Sequence, residues 1–284
     1  MTEEPHDSET DRSTSAEQMP VTDAIKETLS PTAPGQPEDS GVVVDLSQVV
    51  PGTTPAISGV SWIGICAAFL FATLAVFVAR HTNAIQTFDG HMHIWAVAHR
   101  GHLGTSIARL ITRGGLSALT LPTLVVVGAL VPGGHKAART RLGAGVLLAA
   151  VAGLGGFLEL SLNTWIHRAR PPVSDWAGTA GGASFPSGHT TAATLFALFC
   201  AWALTARTRP GWTRIALWTV AGVYALAVGW SRIWLGVHWP TDVLGAWMYG
   251  VAWLALSAWA MVVVRRRWPR PSITGTPTVP VEPH

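Results

Sequence analysis

Acidic side chains are nearly missing from the long apolar part of this chain: between Ile57 and Arg270 only Asp89, Glu159, Asp175 and Asp242 carry a carboxylate. Charged residues of either sign make up 12% of the sequence against 49% hydrophobic, roughly half the charge of an ordinary soluble domain. That balance argues against a water-soluble fold. It also means that each charge kept in apolar surroundings needs a use, since one at a membrane helix centre costs about 2.5–3.5 kcal/mol. Cysteine is scarce as well. Cys66 and Cys200 each lie inside an apolar run, which argues against a disulfide framework and leaves no Cys/His spacing for zinc. The net charge of +3 hides an asymmetry: residues 1–50 hold eleven Asp and Glu against Arg12 and Lys26, a balance of −9, so the remainder carries +12. In an apolar chain such a surplus marks membrane topology and an anionic ligand rather than nucleic acid.

Three regions follow from composition. Residues 1–56 are rich in Ser, Thr, Pro, Glu and Asp without apolar periodicity; they cannot bury enough surface to offset their ordering entropy, which predicts a disordered acidic tail. The tail is too long and too acidic to begin a signal peptide, so the first apolar run is expected to stay as a membrane anchor. Residues 57–264 form the apolar body, and 265–284 begin basic and end proline-rich.

Apolar runs of bilayer-crossing length, about 17–25 residues, occur at roughly 57–79, 115–131, 142–166, 190–206, 214–230 and 241–264. Residues 84–112 instead scatter Ile85, Phe88, Met92, Ile94, Trp95, Leu103, Ile107 and Leu110 among polar side chains, the pattern of helices lying along a membrane interface. The expected fold is an all-α polytopic membrane protein with six transmembrane helices and interfacial helices between the first and second. Lys136, Arg139 and Arg141, then Arg207, Arg209 and Arg214, then Arg265, Arg266, Arg267 and Arg270 occupy every second connection and the end of the last span. These cations mark the cytoplasmic side, which puts both termini inside a plasma membrane. Arg80, Arg100, Arg109, Arg113, Arg168, Arg170 and Arg232 form a weaker counter-signal on the opposite side.

That opposite, extracytoplasmic side collects three polar islands: Arg168 to Pro171, Phe185 to His189, and Ser231-Arg232 with His238 and Asp242. Ser187 stands where a helix N-cap belongs, leaving the amides of Gly188, His189 and Thr190 at a positive helix end that suits an anion. Pro240 fits a first helical position and puts Asp242 in the first turn, where a carboxylate is favoured by the helix dipole. His238 immediately precedes that helix, and an imidazole held by a carboxylate presents its other nitrogen as a nucleophile. Arg170 and Arg232 suit the oxygens of a phosphate through planar forks. Arg168 reads as an arginine snorkelling to the interface, Asp175 as a loop residue, and the histidines around His91 and His93 as part of an interfacial polar face rather than metal ligands.

Together the islands resemble the type 2 phosphatidic acid phosphatase family, whose signature is K-x6-R-P, P-S-G-H and S-R-x5-H-x3-D. Pro186-Ser187-Gly188-His189 matches the second motif, and Ser231-Arg232, His238 and Asp242 match the third in spacing. The first is kept in part, with Arg170-Pro171 present and Asn163 at the lysine position. The resemblance implies a metal-independent lipid phosphatase with no cofactor. It implies His238 as nucleophile through a phosphohistidine, Asp242 orienting it and His189 protonating the leaving oxygen. Arg170, Ser187, Gly188 and Arg232 would then bind phosphate. Glu159, Asn163 and His167 recur every four residues, a single helical stripe towards Arg170. On that stripe Asn163 is expected to donate hydrogen bonds to phosphate, and protonated His167 to supply part of the missing lysine charge.

A site on the outer face implies a lipid phosphate partner in the bilayer. Polyprenyl diphosphate ranks first, with a generalist phosphatase for phosphatidic acid or phosphatidylglycerol phosphate close behind. A non-catalytic lipid-binding or transport protein and a phosphotransferase are the alternatives of other classes. The vanadate-dependent haloperoxidases share these motifs but are soluble, against six apolar spans.

Overall fold

In the computed structural model, residues 56–131, 138–206, 208 and 211–267 are described. The acidic segment before residue 56, the tail beyond 267, and Lys136, Arg207, Arg209 and Arg270 lie outside them. Eight α-helices follow in order: α1 Ala56–Ala79, α2 Asn83–Ala98, α3 His102–Ile111, α4 Ser117–Leu130, α5 Ala138–Ile166, α6 Gly188–Thr205, α7 Trp212–Trp234 and α8 Pro240–Arg267. A 3-10 turn, Thr112–Gly115, joins α3 to α4. Among the described residues there is no strand, and the all-α expectation holds.

The described helices meet the six expected spans to different degrees. Among the described residues four helical segments are long and apolar enough to cross a membrane by length and composition, Trp62–Ala79, Ala138–Ile166, Trp212–Trp234 and Pro240–Val264. A fifth arises if α3 and α4, bent by 54°, act as one broken span. The reasons are physical. α4 has 14 residues, about 21 Å at 1.5 Å per residue, short of a core of about 30 Å. α6 opens with Gly188-His189-Thr190-Thr191, so its apolar length is cut at the end that carries an island. The segment expected at the interface folds as α2 and α3, two helices broken at Gly101.

α6 is the hub, packed against α4, α5, α7 and α8, while α1 lies along α8 and α4 along α5. Its core side chains, Leu195, Phe199 and Trp202, meet Leu124 from α4, Leu148 from α5 and Leu254 from α8. Lipid tails offer helices no hydrophobic gain on pairing, so close approach must come from small residues. At the α4–α5 crossing a side-chain carbon on Gly145 would collide with the Val125 carbonyl, and one on Gly128 would sit 2.6 Å from the Gly145 Cα. Large apolar residues such as Trp62, Phe69 and Val220 point outward, as a bilayer permits.

The connections at one end of the bundle hold the islands. The long α5–α6 loop, residues 167–187, is tied down by Arg109 Nε donating to the Ala177 carbonyl (2.8 Å) and Ala177 N–H donating to the Leu235 carbonyl (2.9 Å). His93 Nε2 lies 2.9 Å from Asp175 Oδ2, and this hydrogen bond holds the Asp175 carboxyl below its usual range. Gly236, at φ +70°, turns the chain between α7 and α8 against Arg100 and the Asp175 carbonyl. A side chain there would be strained and would also lack room.

Candidate active site

α8 starts with Pro240, and Asp242 reaches back so that the Trp239 N–H donates to its Oδ2 at 2.8 Å. This is the reciprocal half of an N-terminal capping arrangement. The same carboxylate is wholly buried and does more than cap. Ser184 Oγ donates to Oδ2, Arg168 Nη1 donates to Oδ1 at 2.5 Å, and His238 Nδ1 lies 3.4 Å from Oδ2.

His238 is 2% exposed, and its surroundings fix its tautomer. Nδ1 lies 2.9 Å from the Ser184 carbonyl, which can only accept, so Nδ1 carries the proton. Nε2 is left with a lone pair, and Arg170 Nη1 donates to it at 2.8 Å. Burial pushes the His238 imidazole down to about 4; Asp242 pulls upward, and Arg170 and Arg232 push further down. The ring is therefore neutral near pH 7. The expected holder of Nδ1 was Asp242 alone; the shorter contact belongs to the Ser184 carbonyl, and the two share the task.

The arginines divide unequally. All five N–H groups of Arg170 are engaged: Nε with the Gly182 carbonyl, Nη2 with those of Gly181 and Ala183, and Nη1 with the Val237 carbonyl and His238. Burial lowers its pKa against the upward pulls of Asp242 and Glu159. Arg232, 2% exposed at the end of α7, donates from Nη1 to Thr112 Oγ1 (2.8 Å) and from Nη2 to the Thr179 carbonyl (3.2 Å). Its buried Nε has no hydrogen-bond partner. Arg232 is thus the arginine with donors to spare, whereas Arg170 has one directed at the nucleophile nitrogen.

His189 stands in the first turn of α6, with Arg232, His238 and Arg170 as its electrostatic neighbours. Ser187 is the N-cap residue, but its side chain makes no capping bond; it is buried and accepts from Thr190 Oγ1 at 3.0 Å. The first amides of α6 have no intrahelical acceptor. His189, Gly188 and Glu159 share the wall of a cavity of about 500 Å³ between α4, α5 and α6, whose further lining includes Leu121, Leu124, Phe157, Leu160, Leu195 and Phe196 beside Ser117 and Thr120.

The helical stripe is only partly realised. Glu159 and Asn163 are buried on α5, with Glu159 oxygens beside Gly188. Both Nδ2 hydrogens of Asn163 are committed, to the Ala183 and Pro186 carbonyls at 3.1 Å each, so the amide braces the loop before α6 rather than facing a phosphate. His167 is not brought into the cluster. α5 ends at Ile166, and His167 turns to φ +51° and is exposed.

Arg168 is the clearest departure from the sequence reading. It does not snorkel: it is 9% exposed, bridges Asp242 and Asp89, and lies 5.7 Å from the Trp239 ring centre. Asp89, Ser184 and Thr241 also belong to this buried network and were missed. The signal for the first was present, since Asp89 is one of the four carboxylates that the apolar body retains.

A model of the PAP2 superfamily matches residues 143–267. Phosphatidylglycerophosphatase B of Bacillus subtilis (strain 168) is 34% identical over 184 residues, which is 64% of this chain and 87% of that protein. The chain belongs to the PAP2 superfamily. Undecaprenyl-diphosphatase BcrC of the same organism is 36% identical over 107 residues, 36% of this chain and 50% of that one. A solved structure described as a transmembrane PAP2-type phosphatidylglycerolphosphate phosphatase from Bacillus subtilis superposes with a TM-score of 0.60 at 29% identity, covering 74% of this chain and 98% of that one. As a PAP2 protein with apolar helices of spanning length, the chain is a multi-pass membrane lipid phosphatase. Its donor set fits metal-independent chemistry, since Arg170, Arg232 and the α6 amides supply positive charge.

Proposed function

We propose that this PAP2 protein hydrolyses the terminal phosphate of a lipid phosphate through a phosphohistidine on His238. The observation that carries this reading is the fixed tautomer, with Nδ1–H spent on Ser184 and Asp242 and the Nε2 lone pair turned towards Arg170. An incoming phosphoryl group takes over the Arg170 Nη1 donor and meets the unspent donors of Arg232 and the α6 amides. Nε2 attacks phosphorus, its bond to the bridging oxygen of the leaving lipid alcohol or lipid monophosphate breaks, and His189, charged once the phosphate dianion lies against it, gives its proton to that oxygen. Water then attacks the phosphohistidine, returning the proton to His189 and releasing phosphate. The apolar cavity beside His189 and Gly188 suits the chain of the leaving lipid.

Polyprenyl diphosphate is the substrate proposed first, on the outward-facing site that the arginine distribution implies. The match to 87% of a phosphatidylglycerophosphatase B favours phosphatidylglycerol phosphate as a second reading. Phosphate release from purified polyprenyl diphosphate, phosphatidylglycerol phosphate and phosphatidic acid in one detergent separates them. The first reading predicts the highest kcat/KM for the diphosphate, and a tenfold preference for either glycerolipid would replace it.

Both termini are proposed to be cytoplasmic and the site extracytoplasmic. Ser174 is exposed in the α5–α6 loop, so with Cys66 and Cys200 changed to serine, Ser174→Cys is expected to react with a membrane-impermeant thiol reagent on intact cells. Labelling only after lysis would place the site, and its substrate, on the inner leaflet.

A further inference from the structure

We infer that Asp89 is a positioning residue for the reaction, acting through Arg168 on the Asp242–His238 pair; this rests on His238 being the nucleophile. Asp89 is 1% exposed and comes from α2, a helix that carries none of the family motifs. Its Oδ2 accepts from Arg168 Nη2 at 2.5 Å and from Thr241 Oγ1 at 2.6 Å, and its Oδ1 accepts from the Thr241 N–H at 3.0 Å. Arg168 Nη1 in turn donates to Thr241 Oγ1 (2.8 Å) and to Asp242 Oδ1 (2.5 Å). The three side chains and the first turn of α8 close a ring in which every member is fixed by two others.

The ring has a consequence for catalysis that follows from how the oxygens are shared. Asp242 Oδ1 is spent on Arg168, so Oδ2 alone faces the Trp239 amide, Ser184 and His238 Nδ1. A guanidinium anchored at one fork only could swing and engage both Asp242 oxygens, drawing Oδ2 away from the imidazole. Asp89 holds the other fork and prevents this. The Trp239 ring restricts the guanidinium from a further direction. Asp89 also offsets the Arg168 charge, so that Asp242 keeps its full attraction for the His238 proton when the ring becomes cationic on phosphorylation. Asp89 touches no reacting atom. Its part is geometric and electrostatic, at one remove.

Asp89→Asn keeps the shape and an acceptor for the Thr241 amide, and it leaves Arg168 paired with Asp242, so the fold tolerates it. The expected result is a kcat about 10- to 100-fold lower with KM changed less than about threefold and an unaltered melting temperature. In an Arg168→Lys background the same change should cost little more, whereas in an Arg232→Lys background the losses should multiply. An unchanged kcat, a rise in KM alone, or full multiplication with Arg168→Lys overturns the inference. Should Asp89→Asn fail to fold, Asp89→Ser removes the same carboxylate at smaller volume, and a folded Asp89→Ser enzyme with wild-type kcat overturns it equally. Phosphoenzyme trapping separates the two layers. Label that survives in His238→Ala removes the underlying reading. Label lost there, beside a wild-type kcat in Asp89→Asn, removes only this inference.

Discussion

His238→Ala is expected to abolish phosphate release, by roughly 10⁴- to 10⁶-fold in kcat, while the protein stays folded in detergent or lipid. Folding survives because the ring's partners are covered without it: Asp242 keeps Arg168, Ser184 and the Trp239 amide. The check is to trap enzyme briefly exposed to ³²P-labelled substrate. Wild type should hold an acid-labile, base-stable phosphoryl group, as a phosphorus–nitrogen bond requires, and His238→Ala should hold none. Equal labelling of both would move the nucleophile elsewhere. His189→Ala supplies the contrast. Only protonation of the leaving oxygen is lost, about 10²- to 10⁴-fold with a lipid monoester, so a nitrophenyl phosphate, whose leaving group needs no proton, should still label His238.

Arg168→Met is the second large effect, and it is one of stability. The substitution leaves Asp89 and Asp242, 1% and 0% exposed, with no cation between them. Removing one partner of a buried pair costs about 3–5 kcal/mol, on the order of 10 °C in Tm. Adding Asp89→Asn to Arg168→Met deletes one of the two stranded charges and is expected to recover a clear part of that loss. A single Arg168→Met variant that melts with wild type would mean that the ring bears no weight in the fold.

How far the site was legible in the sequence depends on distance along the chain. His238 and Asp242 lie four residues apart around a helix start, and Pro240 fixes that start, so their pairing could be read from spacing. The island from Phe185 to His189 announces its own helix. Asp89, Arg168 and Asp242 are 79 and 74 residues apart in turn, and no local period connects them; only the energetic cost of keeping a lone carboxylate in apolar sequence pointed to Asp89. Arg168 was misread because an arginine at the end of a long apolar helix reaches water in most settings, and here Trp239 and the α5–α6 loop stand in the way. The stripe argument failed for a related reason. Periodicity places Glu159 and Asn163 on one face, but it stops where the helix stops, at Ile166, and His167 falls one residue beyond. The membrane-span reading gave the long helices well and is less distinct at α4, which has 14 residues, and at α6, which begins polar.

The ring and the Arg232 clamp also bear on where the working unit of this protein begins. The family model matches residues 143–267, yet Arg168 is gripped by Asp89 and Arg232 by Thr112, both upstream of that stretch. α2 and the 3-10 turn are therefore not decoration on a self-sufficient catalytic core. A fragment cut at residue 143 would keep every motif residue and lose the two side chains that aim its buried arginines, so the least divisible piece of this chain is longer than the stretch its motifs occupy.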